Sequence, residues 1–551
     1  MRYFVILAFC CIQCFVFAQK PGRYRITFAD KENSKYSELR PEEFLSPKAL
    51  ERRAKYNIAI TQQDIPVNQW YIDSVLQYNA RLCNSSKWFN SAIFECDSAT
   101  NFSAIQSLAC VQSIEWVAPK HKAQPDATQL QQEPKHVVPY SEFYSATHDS
   151  LYGNSIRQIK LMNGVPLHKA GFMGQGMTIA VLDAGFLHVD SASAFSQAWE
   201  EQRILAYRDF SGANISVWNE GYHGMAVLSL IASYLPKTMI GTAPQARYVL
   251  CRTEEGATEY RVEEDNWTAA AEFADSIGVD VISTSLGYSE FDDSTQNYTY
   301  SHMDGKTTRI TIASNIAASK GMLLFNSAGN SGDKPWKYIT APADSDSIIT
   351  VGACFLNGTI TSFSSRGPSK GTSLKPDVVA LGFYPAILKS NGLVQVSGMG
   401  TSFSNPILAG MATCLWQEFP HLPPHTIKQA ILSSAHRYFV PDTVYGYGIP
   451  DFERARFILR MGMLQQTFDK AEVYPNPFRQ ILQVRIYASQ SSKVSIRMYD
   501  MQGKEMLYKT FQMNTLLQTI EIPEAASLSA GMYTVFVQFD NEQQIMKVLK
   551  K

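Results

Sequence analysis

Between residues 151 and 460 short apolar runs alternate with longer stretches in which apolar residues recur every three or four positions. The apolar runs fall at 177–182, 248–251, 279–284, 322–325 and 348–351. Their length and continuity suit strands buried on both faces, and the helical pattern at 266–277, closed by Gly278, supplies such cover. The alternation predicts an α/β domain built on a parallel sheet with helices on both faces. In such sheets chemistry gathers at the carboxyl ends of the strands. Those ends read Asp183-Ala184-Gly185, Ser285-Leu286-Gly287 and Asn326-Ser327-Ala328-Gly329-Asn330-Ser331-Gly332.

The flanks carry different patterns. Strand-like segments at 24–28, 92–96 and 114–117 enclose helical stretches at 48–55, opened by Ser46-Pro47, and at 70–76, which predicts a small α+β unit. Asp64 and Trp88 in that unit read as structural residues. From 121 to 150 the chain is rich in Gln, Pro, Lys and Ser with little apolar periodicity, as expected of an exposed linker open to proteolysis. After 472 the alternation changes to period two: Leu482, Val484 and Ile486 against Gln483, Arg485 and Tyr487, then Val494, Ile496 and Met498 against Ser495, Arg497 and Tyr499. With turns at 500–503, 529–531 and 540–541, this predicts a small antiparallel β-sandwich.

At the N-terminus Arg2, an apolar run over 3–17 and Val16-Phe17-Ala18 read as a secretory signal peptide cut after Ala18. Phe9, Cys10 and Gln13 precede its cysteines where a lipoprotein needs a small residue. No later apolar run approaches the roughly 20 residues of a membrane helix, so the mature chain is expected to be soluble or surface-attached. The 551 residues divide as signal peptide 1–18, α+β unit 19–120, linker with a processing site 121–150, α/β domain 151–460, linker 461–471 and β-sandwich 472–551. Lys+Arg 49 against Asp+Glu 50 gives a net charge of −1, which advertises neither nucleic acid nor an anionic membrane. Cys83, Cys96, Cys110, Cys251, Cys354 and Cys414 are sparse and unpaired in sequence, so buried thiols are expected; a bridge within Cys83, Cys96 and Cys110 stays open.

Candidate chemistry centres on Gly398-Met399-Gly400-Thr401-Ser402-Phe403-Ser404-Asn405-Pro406. A glycine-flexed turn there delivers Ser402 to the start of an apolar helix, with Pro406 expected in its first turn. Free N–H groups at a helix N-terminus can hold an oxyanion, although Ser and Thr are also ordinary capping residues. A serine nucleophile needs a base, and the base needs a carboxylate. His223 heads the apolar helical stretch that continues through Leu228, with Gly221 and Gly224 around it, and Asp183 ends a buried strand where an unpaired charge would be costly.

The order Asp183, His223, Ser402 is that of the subtilisins. With Ile179-Ala180-Val181-Leu182-Asp183-Ala184-Gly185, His223-Gly224, Gly241-Thr242-Ala243-Pro244, Ser285-Leu286-Gly287, Ser327-Ala328-Gly329-Asn330, Phe363-Ser364-Ser365-Arg366-Gly367-Pro368, Lys375-Pro376-Asp377 and Gly400-Thr401-Ser402 with Pro406, residues 151–460 resemble the subtilisin-like serine proteases, the subtilase family. The resemblance implies a secreted endopeptidase with Ser402 as nucleophile, His223 as general base and then acid, Asp183 as orienting carboxylate and Asn330 as oxyanion donor. It further implies that Ser285, Leu286 and Gly287 form a substrate edge and, with Ala328 and Gly329, pocket walls. Residues 19–120 would be an inhibitory, chaperone-like propeptide. The final unit, with Tyr474-Pro475-Asn476-Pro477-Phe478 and Leu528-Ser529-Ala530-Gly531-Met532-Tyr533, resembles the sorting domain of the type IX secretion system of Bacteroidetes. That implies engagement of the secretion machinery through 472–551 and a destination outside the cell or on its surface.

Peptide or protein substrates and the chain's own propeptide are thus the expected partners, and no cofactor is required. Structural calcium is frequent in the family but no dense acidic loop names its ligands. Two positions depart from the family pattern: Ala184 stands where Ser or Thr is usual, removing a hydroxyl near the carboxylate, and Met225 and Ala226 replace the Thr and His of HGTHV. The absence of HExxH argues against a zincin, and Gly400-Thr401-Ser402-Phe403-Ser404 lacks the second glycine of GxSxG. Glu263-Glu264-Asp265 reads as a negatively charged helix start rather than a glycosidase pair. The rival reading is a non-catalytic surface protein that keeps the fold and binds peptides or other ligands.

Overall fold

Seven parallel strands form the central sheet: β5 (Thr178–Asp183), β6 (Ile204–Asp209), β9 (Arg247–Arg252), β10 (Val281–Thr284), β11 (Leu323–Ser327), β12 (Ile349–Cys354) and β13 (Val378–Leu381), ordered β13-β12-β11-β10-β5-β9-β6, while the short strands β7 (Tyr234–Leu235) and β8 (Met239–Ile240) pair with each other outside it. The computed structural model describes residues 20–121, 151–213, 215–463, 470–487, 493–513, 517–539 and 543–551. The signal-peptide reading at 1–18 and nearly all of the expected linker at 121–150 lie outside them.

Period-two geometry sends alternate residues of each strand to opposite faces. Ile179, Val181, Leu250, Val281, Phe325 and Val351 enter one apolar core with the helices Tyr222–Ala232 and Thr401–Glu418. Ala180, Leu182, Val249, Cys251, Ile282 and Leu324 enter the other with the helices Val262–Ile277 and Arg309–Ser319. Burial on both faces explains why the central strands read as unbroken apolar runs. Edge strand β6 reads poorly because Leu205 and Tyr207 are exposed. Gly278, in the left-handed conformation, ends the helix Val262–Ile277 as its position predicts.

The N-terminal unit is a four-stranded sheet of β1 (Gly22–Phe28), β2 (Ala80–Ser86), β3 (Ser91–Cys96) and β4 (Val111–Ala118), ordered β2-β3-β1-β4. Ser46 caps the helix Pro47–Lys55, its side chain accepting from Ala49 N, as the Ser-Pro signal indicates. This unit docks on the helix Val262–Ile277 through buried charges. Arg25 pairs with Asp265 at 2.6 Å, while Arg52 at 2.6 Å and Arg53 at 2.9 Å converge on Asp275. Asp64 is held by Arg53 and Lys320, and Trp88 packs into the second core of the large domain, so both have structural roles.

The C-terminal unit is two antiparallel sheets of three and four strands, with Leu482, Val484, Ile486, Val494, Ile496 and Met498 all turned inward as the alternation predicts. The six cysteines of the described residues are free thiols. No described helix is long and apolar enough to cross a membrane.

Candidate active site

β11, β10 and β5 are neighbours in the sheet, so the turns after them meet on one rim. Asp183 is the last residue of β5 and only 3% exposed. His223 sits in the first turn of the helix Tyr222–Ala232, and its Nδ1 lies 2.8 Å from Asp183 Oδ1. Glycine makes this approach feasible. A Cβ on Gly224 would stand 2.1 Å from Gly185 O and 3.0 Å from Asp183 Cβ. A Cβ on Gly221 would stand 2.4 Å from Gly185 Cα.

Asp183 Oδ1 also accepts from Ala184 N at 2.8 Å, whereas Asp183 Oδ2 is buried with no hydrogen-bond partner. The missing hydroxyl at Ala184 therefore coincides with an unsatisfied carboxylate oxygen. Met225 and Ala226, the other departure from the pattern, are buried in the apolar core. Burial of His223 works against its charged form, but the charge and hydrogen bond of Asp183, with the charge of Glu254, outweigh it and raise the imidazole pKa above 6.5.

Ser402 is the second residue of the helix Thr401–Glu418 and 8% exposed. Its neighbour Phe403 places a ring 6.1 Å from the His223 ring, centroid to centroid. Among the described residues Ser402 Oγ makes no hydrogen bond to His223; in unliganded sites such contacts are commonly long and tighten with substrate. Asn330 is oriented from the same helix start: its Oδ1 accepts from Thr401 N at 2.9 Å and Thr401 Oγ1 at 3.0 Å, which turns Nδ2 the other way. A Cβ built on Gly400 would lie 2.8 Å from Ser402 Oγ and 3.5 Å from Asn330 Nδ2. The two groups face one point, and a glycine keeps it open.

Pro406 corrects the expectation of a first-turn proline. The helix begins at Thr401, so Pro406 lies inside it and leaves the Ser402 carbonyl without its i+4 N–H. Ser285 Oγ fills that vacancy, donating to Ser402 O at 2.9 Å. Asn405 Nδ2 donates to Thr284 O at 3.0 Å and completes the tie between β10 and this helix. The expected edge residues Ser285, Leu286 and Gly287 follow β10 directly, and Asn326 Nδ2 holds Leu286 O at 3.0 Å. Ala328 and Gly329 lie opposite, with Gly329 N bonded to Thr401 Oγ1 at 3.1 Å.

Thr340 was invisible in the sequence pattern. Its Oγ1 is buried without a partner, 2.2 Å from a Cβ built on Gly287 and 3.3 Å from one built on Gly329, so it sits between the two glycine walls. Glu254 was missed too. It accepts from Thr253 Oγ1 and Tyr288 OH, each at 2.7 Å, and burial pushes its pKa up to about 7. Both come from segments outside any motif, so no local signal marked them.

The subtilase family model matches residues 174–448, a propeptide family model of Bacteroidota S8 peptidases matches 23–134, and a secretion-system C-terminal sorting domain matches 472–551. The serine protease AprX of Bacillus subtilis is 28% identical over 51% of this chain and 66% of its own length. A thermostable alkaline protease of Halalkalibacterium halodurans is 28% identical over 54% of this chain and 72% of its own. Among solved structures, MycP1 from Mycobacterium smegmatis is 21% identical, with a TM-score of 0.43 over 54% of this chain and 84% of that one.

Proposed function

Because this chain belongs to the subtilase family of serine endopeptidases, we propose that it is an exported protease cleaving peptide bonds through an acyl-enzyme on Ser402. The observation that carries this reading is the 2.8 Å contact between His223 and Asp183, on the rim where Ser402 and Asn330 face a common point. In the first step His223 Nε2 takes the Ser402 proton as Oγ attacks the substrate carbonyl, while Asp183 holds Nδ1–H and stabilises the imidazolium. The oxyanion takes hydrogen bonds from Asn330 Nδ2 and Ser402 N, and such a donor is worth about 100- to 1000-fold in rate. His223 then gives its proton to the leaving amine, and a water repeats the sequence to free the acid. Ser285–Gly287 and Ala328–Gly329 line the substrate. No cofactor enters these steps.

In the same reading the N-terminal unit inhibits the enzyme until the chain is cut within the linker 121–150, and the C-terminal unit directs export to the outer membrane or beyond. The test is hydrolysis of casein and of peptides by the processed protein and by its Ser402→Ala variant. Loss of at least 1000-fold in the variant supports the proposal. Equal activity, or none in either processed protein, overturns it. The second reading, a peptide-binding protein on the protease fold, draws on the unpartnered Asp183 Oδ2 and predicts peptide affinity without turnover.

A further inference from the structure

Three consecutive acidic residues open the helix Val262–Ile277, but they are not equivalent. Glu264 accepts from Tyr298 OH at 2.7 Å, and Asp265 pairs with Arg25 at 2.6 Å and Arg309 at 2.7 Å. Glu263 has no such balance. It is 1% exposed, its Oε1 accepts Glu255 N at 2.7 Å, and its Oε2 is buried without a partner. That side chain turns toward Glu254 and Glu259 of the preceding loop, and one carboxylate oxygen of each lies within 4.8 Å of the others. Among the described residues no Lys, Arg or His forms an ion pair with any of the three. An unpaired buried carboxylate is costly, and the two half-buried carboxylates facing Glu263 add repulsion to that cost.

We propose that Glu254, Glu259 and Glu263 bind a divalent cation of the calcium type at the edge of the substrate cleft. Carboxylate oxygens are hard ligands, and calcium accepts irregular sets of them at about 2.3–2.6 Å, whereas magnesium demands near-octahedral geometry and keeps several of its waters. The orphaned oxygen of Glu263 gains a partner, and Tyr288 OH, donating to Glu254 at 2.7 Å, links the ion to the segment just after Ser285–Gly287. The ion thereby clamps the loop between β9 and the helix Val262–Ile277 to the substrate edge. Ion binding is independent of turnover, so it is separable from the catalytic proposal.

The experiment uses the full chain carrying Ser402→Ala, stripped with chelator, and the same protein with Glu263→Gln or with Glu259→Gln. Calcium chloride binding is followed by calorimetry and thermal unfolding. With calcium at about 100 times its Kd the parent is expected to melt roughly 5 °C higher, and either second substitution abolishes that binding step and most of the shift. In chelator the Glu263→Gln protein melts no lower than the parent, because a repelling buried charge is gone. Equal calcium binding and shifts in all three proteins, no calcium binding in the parent, or an equal shift with magnesium chloride overturns the assignment.

Discussion

Gly224→Ala tests how the histidine reaches its carboxylate. The added Cβ would stand 2.1 Å from Gly185 O and 3.1 Å from Asp183 Cγ, and no side-chain rotation relieves the first contact, because it is with backbone. Relief requires the start of the helix Tyr222–Ala232 to move by roughly 1 Å, and misplacement on that scale costs about 100-fold in rate. Overpacking of this kind also costs about 1–3 kcal/mol of stability. The expected result is a fall of about 100-fold in kcat/KM of the processed protein, carried by kcat, with the fold retained by circular dichroism. Gly462→Ala is the control. Its Cβ meets nothing within 4 Å, and a glycine removed from a helix gains about 0.5–1 kcal/mol. Wild-type kcat in Gly224→Ala would refute the claim that glycine packing sets the His223–Asp183 distance.

Three further outcomes follow from the same geometry. The raised His223 pKa places the acid limb of the kcat/KM profile above pH 6.5, with activity lost as pH falls through it because the protonated imidazole cannot accept the serine proton; a limb below 6.5 contradicts this. Asn330→Ala is expected to lower kcat about 100- to 1000-fold with KM little changed, and a pure KM effect would remove Asn330 from the oxyanion site. Asp275→Asn leaves Arg52 and Arg53 buried without their shared carboxylate, at a cost of about 3–5 kcal/mol. Inhibition of the processed enzyme by separately added residues 20–121 should then weaken at least 100-fold, and unchanged inhibition would show that this charge cluster does not hold the N-terminal unit.

Physical pattern explains what could be read from the chain. Central strands buried on both faces read as apolar runs; Asp183 ends one of them, and the turns after two others contain Ser285, Leu286, Gly287, Ala328, Gly329 and Asn330. Helix starts at Ser46-Pro47 and His223 carried local signals that survive folding. Pro406 misled because the apolar run after it suggested a later helix start, while the structure begins the helix at Thr401 and compensates the lost N–H through Ser285, far away in sequence. Strand β6 was illegible because an edge strand with exposed Leu205 and Tyr207 has no buried period. The acidic triplet at 263–265 reads as helix-dipole complement, and only tertiary contacts distinguish the neutralised Asp265 from Glu263, whose Oε2 is buried without a partner. Thr340 and Glu254 needed three dimensions for the same reason.

The most direct measurement is covalent labelling of the processed protein, freed of its N-terminal unit, by a fluorophosphonate probe, with Ser402→Ala beside it. An activated serine attacks phosphorus at neutral pH, whereas an ordinary one does not. Labelling of the unmutated protein is expected to be stoichiometric, falling with pH through a midpoint above 6.5 as His223 gains its proton, and absent in the variant. Absence of labelling in the unmutated protein, with removal of the N-terminal unit verified by mass, would contradict the assembled triad.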